Sequence, residues 1–226
     1  MYPIETLTKS FTTKRHLAFP SKVSIMRLKP TKSMLKELFV SEVRIKILKL
    51  LVLNPKDSYH VRAIVRAVGA EINAVRRELA NLSEIGLLKH RQSSNRIYYT
   101  VEPSHIYYSE LLALISKDEG LGKQIIDNSK KLGNIDFAVL SKAFLLGRAS
   151  TPLDVDLFVV GDPDATFLAQ LIKEQEQKNN KEINYTVMPA EEFKHRKRKN
   201  DNFIIKVLSQ SRTMLIGDEE KFYAIV

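Results

Sequence analysis

The chain has no cysteine. A disulfide framework and a thiolate metal site are therefore both excluded. No uninterrupted apolar run reaches the roughly 20 residues that cross a bilayer, and the first residues lack the apolar core of a secretory signal. The expectation is a cytoplasmic protein without a membrane partner. Histidines are few and scattered (His16, His60, His90, His105 and His195), and His195 has no second histidine at metal-ligand spacing. Nothing in the order assembles a Ser-His-Asp or similar nucleophile set.

What is present is an ordinary globular balance, 44% hydrophobic and 27% charged, enough for real cores. A length of 226 residues favours two domains. The net charge of +10 becomes informative when divided. Residues 1–102 hold 19 Lys and Arg against 8 Asp and Glu, or +11, and residues 103–226 hold 17 against 18, or −1. The whole surplus sits on one half. Clustered positive charge is the footprint of a polyanion partner, bound through counterion release.

That half also carries the most ordered pattern. From Ser58 to Val68, the residues Val61, Ile64, Val65 and Val68 fall at spacings of three and four, the stripe of a short helix. Gly69 supplies a turn. A second helix restarts at Glu71 with Val75, Leu79 and Leu82 on one face and Asn73, Ala74, Arg76, Arg77 and Ala80 elsewhere. Gly86 sits at a helix C′ position. Residues 87–92 and 96–101 read as strands around Ser93, Ser94 and Asn95. Upstream, residues 41–53 form a core helix with Ser41 as N-cap and Asn54-Pro55 as its stop.

This order, over roughly 36–101, resembles the winged helix-turn-helix of small prokaryotic transcriptional regulators such as the ArsR and MarR groups. The resemblance implies that the second helix enters the major groove of double-stranded DNA and the hairpin wing lies on the neighbouring backbone. It assigns Asn73, Arg76 and Arg77 to bases or nearby phosphates, and Lys89, Arg91, Asn95 and Arg96 to the wing contacts. The bland alternative is a set of solvated charges on a protein-interaction module.

Residues 1–33 form a basic arm, with seven lysines and arginines against Glu5 and with Pro3, Pro20 and Pro30 breaking any helix. Such an arm could track phosphates; it could equally be a poorly ordered leader ahead of a start at Met26 or Met34. Residues 103–134 read as a helical linker. Its Tyr107, Leu111 and Ile115 are candidates for a homodimer seam, with packing inside one chain as the alternative. From residue 135 strands alternate with helices, which argues for an α/β layer. The clearest strand is 155–160. Lys194 to Lys199 reads as a solvated helix face that balances Glu191 and Glu192.

A second stretch, residues 146–161, contains Gly147, Arg148, Asp154 and Asp156. It looks like the signature of the nucleotidyltransferase superfamily, in which Gly-Ser, a short loop and an Asp-x-Asp on a strand form the active site. Residues i and i+2 of a strand share a face, so Asp154 and Asp156 could hold Mg²⁺ and, with Gly147 and Arg148, a nucleotide. Two departures weaken the match. Arg148 replaces the usual serine, and the later strand offers Asn184 and Thr186, with Glu182 only at its edge, where the third carboxylate belongs. Losing one carboxylate of three removes part of the charge that anchors the metal and much of the base that activates a hydroxyl.

The expected architecture is thus an α+β protein of two domains: the basic arm over 1–33, a winged helix over 34–102, a linker over 103–134 and a nucleotidyltransferase-like domain over 135–226. The expected function is a sequence-specific DNA-binding regulator, acting as a homodimer with no required cofactor, whose second domain is a sensor or scaffold. The alternative is an active Mg²⁺-dependent nucleotidyltransferase that modifies a protein, RNA or small molecule.

Overall fold

The computed structural model describes residues 39–148 and 154–224. The basic arm and the loop between Arg148 and Asp154 lie outside the described residues. Helix α1 (Glu42–Val52) starts where Ser41 turns its hydroxyl back to accept from the Arg44 amide, and it buries Ile45, Ile47, Leu48, Leu51 and Val52. Helix α2 (Val61–Val68) ends at Gly69, whose φ of 59° is left-handed and suits a residue without a Cβ. Helix α3 (Ile72–Glu84) follows, with Val75, Leu79 and Leu82 inward.

Strands β2 (Leu88–Ser93) and β3 (Arg96–Val101) pair antiparallel around a turn in which Ser94 takes a φ of 51°. The expected helical start at Ser58 is corrected here. Tyr59 and His60 form a two-residue strand, β1, against Tyr99 and Tyr98 of β3, so the sheet order is β1-β3-β2. Aromatic side chains favour a pleated, half-buried surface, and β3 offered an open edge. The helix waits one step, until His60 can cap it by accepting from the Ala63 amide at 3.2 Å.

Helix α4 (Tyr108–Asp118) completes this half, and α5 (Gly120–Asp127) leads into the second. Of the two alternatives for Tyr107, Leu111 and Ile115, burial favours packing inside one chain. Ile115 is buried and Leu111 packs against the core that α1, α2 and α3 build; of the three named residues only Tyr107 stays exposed. The apolar stripe of α4 finds its partner within its own chain. The Tyr108 hydroxyl donates to the Val52 carbonyl at 3.1 Å and fixes α4 across the end of α1. Lys49 of α1 reaches Asp118 at 2.6 Å and Glu119 at 2.5 Å, where α4 passes into α5. The two helices meet so closely that a Cβ on Gly122 would lie 2.1 Å from the Ser116 carbonyl oxygen.

The remaining chain builds a second sheet. Strand β4 (Gly133–Ser141) leads into a single helical turn, α6 (Lys142–Leu145). Then come β5 (Leu157–Pro163), α7 (Ala165–Asn179), β6 (Tyr185–Met188), α8 (Ala190–Arg198), α9 (Asn202–Ser209), β7 (Arg212–Ile216) and α10 (Glu219–Tyr223). The order is β6-β5-β4-β7, with β5 and β6 parallel and the other pairs antiparallel. Helices cover both faces. Leu157 and Val159 pack with Leu121, Ile125, Leu168 and Ile172, while Phe158 and Val160 pack with Phe193, Ile204, Val207 and Phe222. A strand buried on both faces has no reason to alternate, which is why β5 reads Leu-Phe-Val-Val without a polar break.

The protein is therefore a mixed α+β structure with two sheets. Among the described residues no helix is long and apolar enough to cross a membrane.

Candidate nucleic-acid interface

Helix α3 divides its side chains cleanly. Asn73, Arg76 and Arg77 are exposed, while Val75, Glu78, Leu79 and Leu82 face inward. Glu78 is the residue that sequence reasoning missed. Only 4% exposed, it accepts from the Ser41 hydroxyl at 2.7 Å and from Arg44 Nε at 2.8 Å. Burial pushes its carboxyl up, but the Ser41 and Arg44 bonds, aided by the Arg77 charge, outweigh that and hold it below the usual range. The pair bolts α3 to the start of α1. A glutamate seven residues after another and one step past two arginines gives no sequence signal of burial.

The N-terminus of α3 is also taken. Glu71 accepts from the Asn73 and Ala74 amides at 2.7 and 3.0 Å, and those two bonds hold its carboxyl low. Free helix N-terminal amides bind phosphate; these are filled by the protein's own acid. Anion contacts on this face thus fall to side chains.

The hairpin supplies them. Register places Lys89 opposite Thr100, Arg91 opposite Tyr98 and Ser93 opposite Arg96. Directly opposed residues and every second residue share a sheet face, so Lys89, Arg91 and Arg96 all lie on one face. All three are exposed, as is Asn95 at the turn. Arg91 rests 5.9 Å over the Tyr98 ring. Lys89 forms an ion pair with Glu102, and this bond, with the Ser104 hydroxyl and amide, pulls the Glu102 carboxyl down to about 2. Lys89 is therefore partly neutralised, whereas Arg91 and Arg96 have no carboxylate partner among the described residues. Two further exposed cations, Arg62 and Arg66 on α2, were not assigned from the sequence. They occupy the polar side of a helix whose apolar stripe was the only feature legible in it. Residues 39–102 carry 11 Lys and Arg against 6 Asp and Glu, and residues 1–38 carry 8 against 2; about half of the cationic surplus thus precedes Phe39.

The aspartate pair has a different character. Strand β5 begins at Leu157, so Asp154 and Asp156 precede it rather than lie on it. Asp156 is 1% exposed. Its backbone N–H donates to Asn184 O at 2.8 Å, its carbonyl accepts from Ser141 N at 2.7 Å, and its carboxylate accepts from the Asn184 amide at 3.1 Å. Asp154 lies 3.4 Å from the Lys206 ammonium. Gly147 and Arg148, both exposed, end the turn after α6, and Lys181 donates to the Arg148 carbonyl at 2.8 Å. Among the described residues no group of three His, Asp or Glu side chains is placed to share a cation. One buried carboxylate committed to an amide and one beside an ammonium are a poor donor set for Mg²⁺, and no step is derived through that metal. Asn184 meets Asp156 through its backbone amide and carbonyl.

Lys194 and Arg196 pair with Glu191 and Glu192 along α8, at 2.8 and 2.5 Å, while Arg198 and Lys199 stay exposed beyond them, so the two acids offset only part of this face.

Comparison with known proteins returns no match: no family model fits the chain, and neither a curated protein nor a solved structure is significantly similar.

Proposed function

We propose that this protein is a sequence-specific regulator that binds double-stranded DNA through residues 39–102, folded as a winged helix-turn-helix, and that its C-terminal half serves as a nucleotidyltransferase-like sensor or scaffold. The observation that carries the reading is the gathering of exposed cations. Arg76 and Arg77 project from one helix, and Lys89, Arg91 and Arg96 share one face of the hairpin. A helix of 13 residues fits a major groove, and a two-stranded ribbon fits the backbone beside it. Asn73, Arg76 and Arg77 read bases; Arg91, Asn95 and Arg96 hold phosphates.

The bland alternative, a protein-interaction module, leaves the same cations without a polyanion. Electrophoretic titration on duplexes selected from a random pool separates the two. Arg76→Ala or Arg77→Ala weakens binding by about 1–3 kcal/mol where that arginine makes a bidentate base contact. Unchanged affinity for both variants, or no salt-dependent retention of any duplex, would sink the proposal. Incubation with Mg²⁺ and labelled nucleoside triphosphates tests the enzyme alternative, and label transfer abolished by Asp154→Ala would promote it.

A further inference from the structure

A polar cleft of about 280 Å³ opens between α4, the start of α6, β7 and α10. That is close to the lower bound of small-ligand pockets, roughly 300 Å³. Its walls come from both halves of the chain. Ser109 and Leu112 belong to α4, and Leu112 is also part of the N-terminal core, while Lys142, Arg212 and Thr213 belong to the second sheet and its connections.

The charges in this cleft are unusual in their partners. Arg212 is only partly exposed and makes three hydrogen bonds, from Nε to the Val207 carbonyl at 2.8 Å, from one terminal nitrogen to the Val155 carbonyl at 3.0 Å and from the other to the Gln210 side-chain oxygen at 2.8 Å. All three acceptors are neutral. Burial pushes the Arg212 guanidinium below its usual range, while Tyr223 and Asp156 pull the other way. Lys142 donates to the Ser109 hydroxyl at 2.9 Å, again a neutral partner. Among the described residues neither cation forms an ion pair. Glu219 is the one acid in the lining, so two cations face one carboxylate. Sequestered cations are ordinarily paired, because neutral dipoles compensate a lost hydration shell only in part. The buried Asp156 carboxylate offsets part of the Arg212 charge, and the remaining positive surplus lies beside a cleft close to ligand size.

From this we infer that the cleft binds a small anion, a carboxylate or a phosphate group, held by Lys142 and Arg212 and hydrogen-bonded by the Ser109 and Thr213 hydroxyls. The occupant bridges α4 to β7 and so touches both halves at once. Glu219 opposes it and sets its affinity. The inference does not depend on the DNA-binding reading.

The test is isothermal titration of the full chain, without DNA and at constant ionic strength, with inorganic phosphate and separately with malonate. Saturable binding of at least one probe is expected. Lys142→Ala should weaken it by about tenfold or more, as loss of a charged hydrogen-bond donor does. Glu219→Gln, at an exposed position, should strengthen binding, a direction that a merely structural role would not produce. Phosphate without malonate assigns a phosphate-bearing ligand, malonate without phosphate a carboxylate, and binding of both assigns their shared anionic chemistry. The inference is overturned if neither probe saturates, or if Lys142→Ala and Glu219→Gln both bind like the parent chain. Duplex retention, measured separately, stands or falls on its own.

Discussion

The two stretches that drew attention in the sequence hold charge in opposite ways. On α3 and the hairpin the exposed charges are mostly cations, with Glu71 and Glu84 the exposed acids beside them, and Arg91 and Arg96 meet no carboxylate among the described residues. Before β5, both aspartates meet protein partners: the Asn184 amide for Asp156, the Lys206 ammonium for Asp154. Charge presented to solvent costs the fold little and is available to a partner. Of the two aspartates only Asp156 is turned inward and bound into the architecture, while Asp154 stays partly exposed beside an exposed lysine. The comparison teaches that a motif read from residue types must also be read for what each residue already holds.

Variants can break that comparison, and the largest effect belongs to the core that supports the cationic face. Leu79→Ala, at a site with 0% exposure, should lower unfolding free energy by about 2–5 kcal/mol, measured by urea denaturation. Asp156→Ala comes next. It leaves the half-buried Asn184 amide without this acceptor, and a loss of about 1–3 kcal/mol is expected. A neutral result would place Asp156 back among groups kept for chemistry. Arg76→Ala should behave in the reverse sense, costing duplex affinity but shifting stability by less than about 0.5 kcal/mol.

Acid sharpens the picture further. The folded-state carboxyl of Glu78 is depressed, so its contribution is fully present above the ordinary glutamate value of about 4.3 and is lost as pH falls through the lower folded value. Glu78→Gln should therefore flatten the acid limb of the stability curve and change little at pH 7 beyond a constant offset; an unaltered limb would remove Glu78 from the account. The smallest effect is in the salt dependence of duplex binding. Arg96→Ala should reduce the slope by about one counterion, and Lys89→Ala by less, because Glu102 already neutralises it. Equal slopes for the two would contradict the pairing.

Much of the fold was legible because periodicity encodes burial. The stripes of α1, α2 and α3, the β2-β3 hairpin and the unbroken run of β5 all followed from spacing alone. What escaped depended on partners distant in sequence. Tyr59 and His60 became a strand because β3, some 40 residues later, had an open edge. The α4 stripe turned inward because α1 was within reach, which no count of apolar residues on α4 can reveal. Glu78, Arg62 and Arg66 illustrate both failures at the candidate site: identical-looking surface charges, one sealed against Ser41 and two left in solvent. For the aspartates, the i, i+2 spacing was read as a pair on a strand, whereas both lie ahead of β5 and meet different partners.

The joint between α4 and α5 carries a mechanical corollary. With Lys49 clamped across Asp118 and Glu119 and the Gly122 backbone seated on the Ser116 carbonyl, there is no slack for the chain to swivel there. A side chain introduced at position 122 would have to push the two helices apart before it could fit.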